Sequence, residues 1–252
     1  MFMSARFLLA GESCIVIEFG DEISPKLNRM VRYMFLLLSQ AGVPGVIELI
    51  PTYRSLYVQY NPLEIRLEEL KRRLDEAQQK LDEVDLPPPR VVEFPTVYGG
   101  EFGPDLEFVA NYNNLTPEEV IEIHTSKDYL VYMLGFTPGF AYLGGVSKRI
   151  ATPRLETPRL KVPAGTVAIA GEQTGVYPVE SPGGWRLLGR TPIRLFDTRR
   201  EPPAILQPTS DYVRFVRINE EEFQKIREQV DAGRYKIRIS NLREKEKGYE
   251  GL

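Results

Sequence analysis

The 252-residue sequence predicts an α+β N-terminal domain of ferredoxin-like order followed by a mainly-β barrel domain. Three observations carry this. The first ninety or so residues alternate strand-like and amphipathic helical stretches in the order β-α-β-β-α-β, that of a split βαβ unit. A stiff spacer, Pro87-Pro88-Pro89, then interrupts the chain. From Gly135 to Pro203, 69 residues hold ten of the 20 glycines and nine of the 20 prolines, which fits short strands joined by tight turns. Many short strands avoid exposed edges by closing on themselves, so a barrel is expected there. The boundaries read as 1–89, 90–240 and a charged tail at 241–252.

Taken in order, CIVIEFG (14–20) is a strand. Ser24-Pro25 supplies an N-cap and a first-turn proline, and Leu27, Met30, Val31, Met34, Leu37 and Leu38 follow at helical spacing until Gly42 and Pro44 stop the helix. GVIELIP (45–51) and the stretch Tyr53 to Tyr60 are two more strands. Asn61-Pro62 with Glu64 signals another helix, striped by Leu63, Leu67, Leu70, Leu74 and Leu81. RVVEFPTVY (90–98) is the next strand, and the order alone leaves it two places, back in the first sheet or opening the next domain. Short helices are expected at Asp105–Asn111 and from Thr116 to about His124, the latter with Glu119 completing a capping box. TSKDYLVYMLGF and DYVRFVRI (211–218) read as strands, Glu220–Ala232 as a helix ended by Gly233, and RYKIRIS as a last strand. NLREKEKGYEGL, nearly devoid of apolar residues, reads as a loose tail.

Composition excludes several functions. Acidic residues outnumber basic ones 35 to 32, for a net charge of −3, which argues against a binder that neutralises nucleic-acid phosphates. Cys14 is the one cysteine, so no intrachain disulfide forms, and it sits in an apolar run as a small buried hydrophobe. The apolar segments are too short for a signal peptide or a bilayer span, and a cytoplasmic location is expected. There is no G-x-x-x-x-G-K-[ST] loop, no G-x-G-x-x-G after a strand and no G-x-S-x-G. One His and one Cys cannot build an ordinary zinc site, so no metal is expected.

The residues that remain carry paired readings. His124, at a helix end just before GFTPGF, is either a helix-terminal imidazole at the negative end of the dipole or a general acid–base. The glycines either supply tight turns or leave backbone N–H groups open to a ligand carboxylate, carbonyl or phosphate. Phe136, Phe140, Tyr142 and Trp185 either pack the barrel or wall a pocket. Gln173 orients a substrate amide or ties two loops together. Arg186, Arg190 and Arg194 form a solvent-facing row, or one of them forks onto an anion. The two Gly-rich bursts, GFTPGFAYLGG (135–145) and SPGGWRLLGRTP (181–192), are expected to meet on one face around a shallow aromatic groove.

GFTPGFAYLGG, ATPRLETPRLKVPAGTVAIAGEQTGVYP and SPGGWRLLGRTPIRLFD, with PTYRSLYVQYNP and YGGEFGPDLEFVA, resemble in order the 5-oxoprolinase B-subunit family, also called the KipI or allophanate hydrolase subunit 1 family. The resemblance implies a cyclophilin-like barrel behind a small α+β domain. It also implies one component of an ATP-dependent 5-oxoprolinase, inactive alone. Its partners would be a related barrel (the C subunit) and a third, lactam-utilisation-type subunit, with ATP shared among them. Two alternatives follow from the same family, a KipI-like inhibitor of a sensor histidine kinase and a carboxyltransferase half-module of a urea-amidolyase-type biotin enzyme. By position the family motifs fall on His124, Phe136, Pro138, Gly139, Phe140 and Tyr142, then on Pro163, Gly165, Gln173, Gly175 and Tyr177, then on Ser181, Pro182, Gly183, Gly184, Trp185 and Thr191. From these motifs and the arginine row together, His124 and Gln173 are the catalytic candidates. Phe136, Pro138, Gly139, Phe140, Tyr142, Gly165, Gly175, Tyr177, Gly183, Gly184, Trp185, Arg190 and Thr191 are the substrate-binding candidates. Glu172 stands where the family motif more often has Gly, which sets an acid beside Gln173.

Overall fold

The computed structural model describes residues 5–81, 89–206 and 211–242. The chain divides into two compact units, residues 1–88 and 89–250. Two residues of the proline spacer, Pro87 and Pro88, and tail residues 243–252 lie outside the described residues.

In the first unit, β1 (Arg6–Leu9), β2 (Cys14–Glu18), β3 (Val46–Pro51) and β4 (Ser55–Tyr60) form an antiparallel sheet in the order β1-β2-β4-β3. α1 (Pro25–Ala41) begins where Ser24 accepts a hydrogen bond from the Leu27 N–H. It ends at Gly42, whose φ of 54° is the left-handed turn glycine makes without strain. Its Leu27, Met30, Val31, Met34 and Leu38 pack against Ile15, Ile17, Leu56 and Val58 of the sheet's inner face. α2 (Leu67–Gln78) adds Leu70 and Leu74, and Leu81 completes the core.

Three sequence expectations change here. α2 starts at Leu67, because Asn61 uses its side chain in a local turn, accepting from the Leu63 N–H and donating to Glu64. Leu63 therefore leaves the apolar stripe and is 94% exposed. Strand β1 has no counterpart in the sequence reading. It lies beside β2, at the edge that the split βαβ order would assign to its final strand.

That final strand, β5 (Arg90–Tyr98), belongs to the second unit. With β6 (Asp128–Leu134), β7 (Ala141–Gly144), β9 (Thr166–Ala170), β10 (Gln173–Val176), β12 (Arg186–Arg190) and β13 (Asp211–Arg217) it forms a ring. The order is β12-β9-β10-β7-β6-β13-β5, and β5 pairs back onto β12 to close the barrel. β5 runs parallel to β13, and the other pairings in the ring are antiparallel. β8 (Arg159–Val162) and β11 (Ser181–Gly183) make a separate two-stranded ribbon. β14 is shorter than RYKIRIS suggests, only Ile239–Ser240, and pairs with the start of β5.

α3 (Leu106–Tyr112), α4 (Pro117–Thr125) and α5 (Glu220–Asp231) complete the unit. The Thr116–Glu119 capping box of α4 is formed in both directions. Side chains of α3 and α4 fill the interior with Phe94, Tyr129, Val131, Leu143, Ile169, Val176 and Phe215. Burying side chains of this size contributes about 1.5–3 kcal/mol each.

Two ion pairs with buried carboxylates hold β13 in register. Asp211 is fully buried, takes Arg90 in a two-pronged pair at 2.8 and 2.5 Å, and sits opposite it across β13 and β5. Asp128 likewise takes Arg214 at 2.7 and 2.8 Å across β6 and β13. A one-residue slip would strand both carboxylates. The tail is not loose from its first residue, since Leu242 is buried and the Asn241 carbonyl accepts from Arg214. No helix is long and apolar enough to cross a membrane among the described residues.

Candidate functional site

His124 lies inside the barrel, not in a groove. It is completely buried, packed on the Phe215 ring at 4.5 Å and the Tyr129 ring at 5.4 Å between centroids. Its Nδ1 is 2.8 Å from the Tyr98 hydroxyl and its Nε2 2.9 Å from Thr174 Oγ1. The Thr174 hydroxyl donates to the Ala168 carbonyl at 3.0 Å, so it accepts from Nε2–H and leaves Nδ1 to accept from Tyr98. One tautomer of a neutral ring satisfies the whole chain of bonds. Burial pushes the imidazole pKa down to about 3, because desolvation penalises the charged ring. Each ring nitrogen has a protein partner and the ring is closed to solvent. These features argue against the general acid–base reading and for an interior strut joining α4 to β5 and β10.

The aromatic candidates sit on the other side of the wall. Strand residues alternate, so Val176 faces the interior cluster while Ala168, Ala170 and Leu187 face an outer one with Phe140, Val162, Tyr177 and Trp185. Phe140 is the hub of this cluster. Its ring lies 5.5 Å from Phe136, 4.9 Å from Tyr142, 5.8 Å from Tyr177 and 5.8 Å from Trp185, each edge-on. The two Gly-rich bursts thus meet on one outer face. Phe140, Tyr177 and Trp185 are buried, whereas Phe136 is 64% exposed and adopts a φ of 68°, rare for a bulky residue. Pro138 is exposed on the same turn, between half-buried Thr137 and Gly139.

Glycine is needed here for close approach. A Cβ on Gly175 would press on the Trp185 and Phe140 rings, one on Gly139 on Phe196, and one on Gly183 would collide with the Tyr177 hydroxyl. Gly184 has more room, with Pro158 and Leu155 as neighbours.

Gly165, Arg190 and Thr191 belong to an adjoining cavity of about 510 Å³. It is bounded by the turns at Ala164–Gly165 and Pro178–Glu180, by Thr191–Arg194 and Phe196, and by Phe223, Arg227, Val230 and Asp231 of α5. Gly165 links it to the aromatic cluster, donating its N–H to the Tyr177 carbonyl at 2.7 Å while its own carbonyl accepts from the Thr191 N–H at 2.9 Å. Thr191 is buried, and its hydroxyl accepts from the Ile193 N–H.

Arg190 lies over the Phe102 ring at 5.7 Å, and its Nε is buried with no hydrogen-bond partner among the described residues. Desolvation lowers its pKa, meaning its charge is held where water does not fully repay it. Its neighbours in the arginine row are occupied, Arg186 on the Phe108 ring at 3.8 Å and Arg194 on Asp231 at 2.8 Å. Gln173 opens β10 opposite Ala170 and Gly144. Phe196, Phe223 and Arg227 are lining residues that sequence reasoning missed. They come from a loop and a helix whose approach to this face no local pattern announces. Among the described residues no group of three or more His, Cys, Asp or Glu is placed to hold a metal ion.

Comparison with known proteins reaches into both units. The family model for the carboxyltransferase domain, subdomain C and D, matches residues 5–206. The chain is 47% identical to the 5-oxoprolinase B subunit of Bacillus subtilis (strain 168) over 239 residues, covering 90% of this chain and 99% of that one. It is 42% identical to the 5-oxoprolinase B subunit of Escherichia coli O157:H7, covering 84% of this chain and 95% of that one. Among solved structures, TTHA0988 aligns with a TM-score of 0.72 at 38% identity over 82% of this chain, which spans 40% of that longer protein. With near-complete coverage at this identity, the chain belongs to the 5-oxoprolinase B-subunit family.

Proposed function

We propose that this chain is one component of an ATP-dependent lactam hydrolase that opens 5-oxoproline to glutamate, working with a barrel of the C-subunit type and a third, lactam-utilisation-type subunit. The observation that carries the site assignment is the Arg190 guanidinium. It is half-buried with an Nε unpartnered among the described residues, it lines a cavity of about 510 Å³, and that cavity adjoins an aromatic wall. A buried donor without an acceptor is unusual in a folded protein and invites one from a ligand.

An unstrained lactam resists attack by water, so ATP serves to turn its carbonyl oxygen into a leaving group. In the proposed site Arg190 forks onto an oxyanion, the substrate carboxylate or the transferred phosphoryl, and Arg227 adds a second cation in the cavity lining. Phe136, Phe140, Tyr142 and Trp185 exclude water from one side, and Gln173 serves as a polar contact near them. His124 does not reach the substrate in this reading, and it holds the wall by fixing Thr174 and Tyr98. The sequence has no phosphate-cradling loop of the Walker type, which supports an ATP site completed by partner subunits.

The test is a reconstituted complex. Arg190→Gln should lower oxoproline-dependent ADP release about tenfold or more while leaving the melting temperature of this chain nearly unchanged. The isolated chain should release no ADP in response to oxoproline. Full activity in the Arg190→Gln complex, or robust turnover by the single chain, sinks the assignment.

A further inference from the structure

We propose a second oxyanion subsite at Arg200, in the cavity that lies across the Ile193–Arg194–Val230 ridge from Arg190. This cavity measures about 350 Å³, within the range of small-molecule pockets. Ile193, Arg194 and Val230 line both cavities, so they form the wall between them. The Arg200 cavity has an apolar wall of Ile193, Ile205, Val230 and Ile237, with Tyr235 beside them, and three guanidiniums, Arg194, Arg199 and Arg200.

The charges resolve residue by residue. Asp197 is the acid lining this cavity, and Arg199 holds both its oxygens, at 2.9 and 2.7 Å. Arg194 is held by Asp231 at 2.8 Å and lies 3.7 Å from Asp197. Arg200 has no carboxylate in hydrogen-bond contact among the described residues. One of its terminal nitrogens donates to the Arg194 carbonyl at 2.6 Å and, more weakly, to the Pro203 carbonyl at 3.5 Å. Its Nε is buried without a partner among the described residues, the same feature that marks Arg190 across the ridge.

A guanidinium anchored through one nitrogen, with its Nε buried and unsatisfied, is set to receive an oxygen along that edge. Burial lowers the Arg200 pKa, consistent with a cation that gains from an incoming anion. The ligand class is a small molecule with an apolar body and one carboxylate or phosphate group. The apolar wall takes the body, and Arg200 supplies the cation left without a carboxylate partner. This subsite stands on its own geometry and does not depend on the lactam-hydrolase reading.

The test titrates the full chain, with no partner and no turnover, against inorganic phosphate and separately against isobutyrate. The readout is the arginine Nε–H signals in heteronuclear NMR, with Arg200 assigned by its loss in Arg200→Lys. The Arg200 signal should shift saturably with at least one probe. Saturation by phosphate alone assigns a phosphate group, and saturation by isobutyrate alone assigns a carboxylate. Arg200→Lys, read through the Arg194 and Arg199 Nε–H signals of the same cavity, should weaken binding about tenfold or more, the scale of a lost charge-assisted bond. Arg199→Gln should weaken it similarly without touching Arg200, by freeing Asp197 to pair with Arg200, and it decides the matter if Arg200→Lys fails to fold. Lys225→Gln, an exposed charge on α5, should leave binding unchanged. No shift at Arg200 with either probe overturns the proposal. So does unaltered binding in Arg199→Gln, or equal weakening by Lys225→Gln.

Discussion

Acidification should destabilise the barrel through His124 in a window set by the ring's burial. In the folded chain the imidazole stays neutral down to a pKa of about 3, because protonation would leave a cation in an apolar interior. Unfolded, it titrates near 6.5. Below that value the unfolded chain binds a proton that the folded chain does not, so stability falls as the pH drops from about 6.5 toward 3. Each pH unit well inside this window costs about 1.4 kcal/mol, and going from pH 7.5 to 5 costs about 2 kcal/mol.

The assay is chemical denaturation followed by Trp185 fluorescence, because the single tryptophan reports on the barrel unit. His124→Gln serves as the reference. It is less stable at neutral pH but carries no titrating ring, so the wild-type minus variant difference should shrink by about 2 kcal/mol between pH 7.5 and 5. Groups other than the imidazole are common to both proteins, so their pH dependence cancels in the difference. The chain has one histidine, so its ring proton resonance is unambiguous in NMR. Parallel pH curves for the two proteins, or a folded-state titration near 6.5, would refute the burial reasoning and reopen an accessible acid–base role.

Phe140→Ala should destabilise the barrel by about 3–5 kcal/mol and shift Trp185 emission, since it removes the ring against which Phe136, Tyr142, Tyr177 and Trp185 all pack. A denaturation midpoint and emission maximum like those of the wild type would contradict that hub. Gly165→Ala, at a φ of 80° with the Thr191 carbonyl facing the new Cβ, should cost about 1–3 kcal/mol or more, read by thermal melting. An unchanged melting temperature would show that the turn is not held as described.

Elements whose signals are local were legible in the sequence. Ser24-Pro25 and Gly42 delimit α1, and Thr116 with Glu119 starts α4, because a cap is decided within four residues. Local signals also misled where two structures compete for one side chain, as at Asn61, whose turn displaced the start of α2. RFLL carries neither alternation nor length, so β1 is a strand only because β2 offers it an edge.

The sequence by itself determined the caps of α1 and α4, most strands and the pairing of Gly-rich bursts with aromatics, since these depend on periodicity, caps and turn chemistry. Tertiary structure alone decided what faces what. β5 lies in the barrel because β13, more than a hundred residues away, pairs with it from Arg90 to Thr96. His124 stands beside GFTPGF in sequence, yet the helical phase of α4 turns its ring into the interior, where desolvation keeps it neutral. Along WRLLGRTPIR the three arginines look equivalent. Arg190, which follows the register shift between Leu187 and Gly189 and lines a cavity with α5, is half-buried with an Nε that has no partner among the described residues, while Arg186 and Arg194 have partners. Burial and pairing depend on contacts between distant segments, which no window of sequence contains.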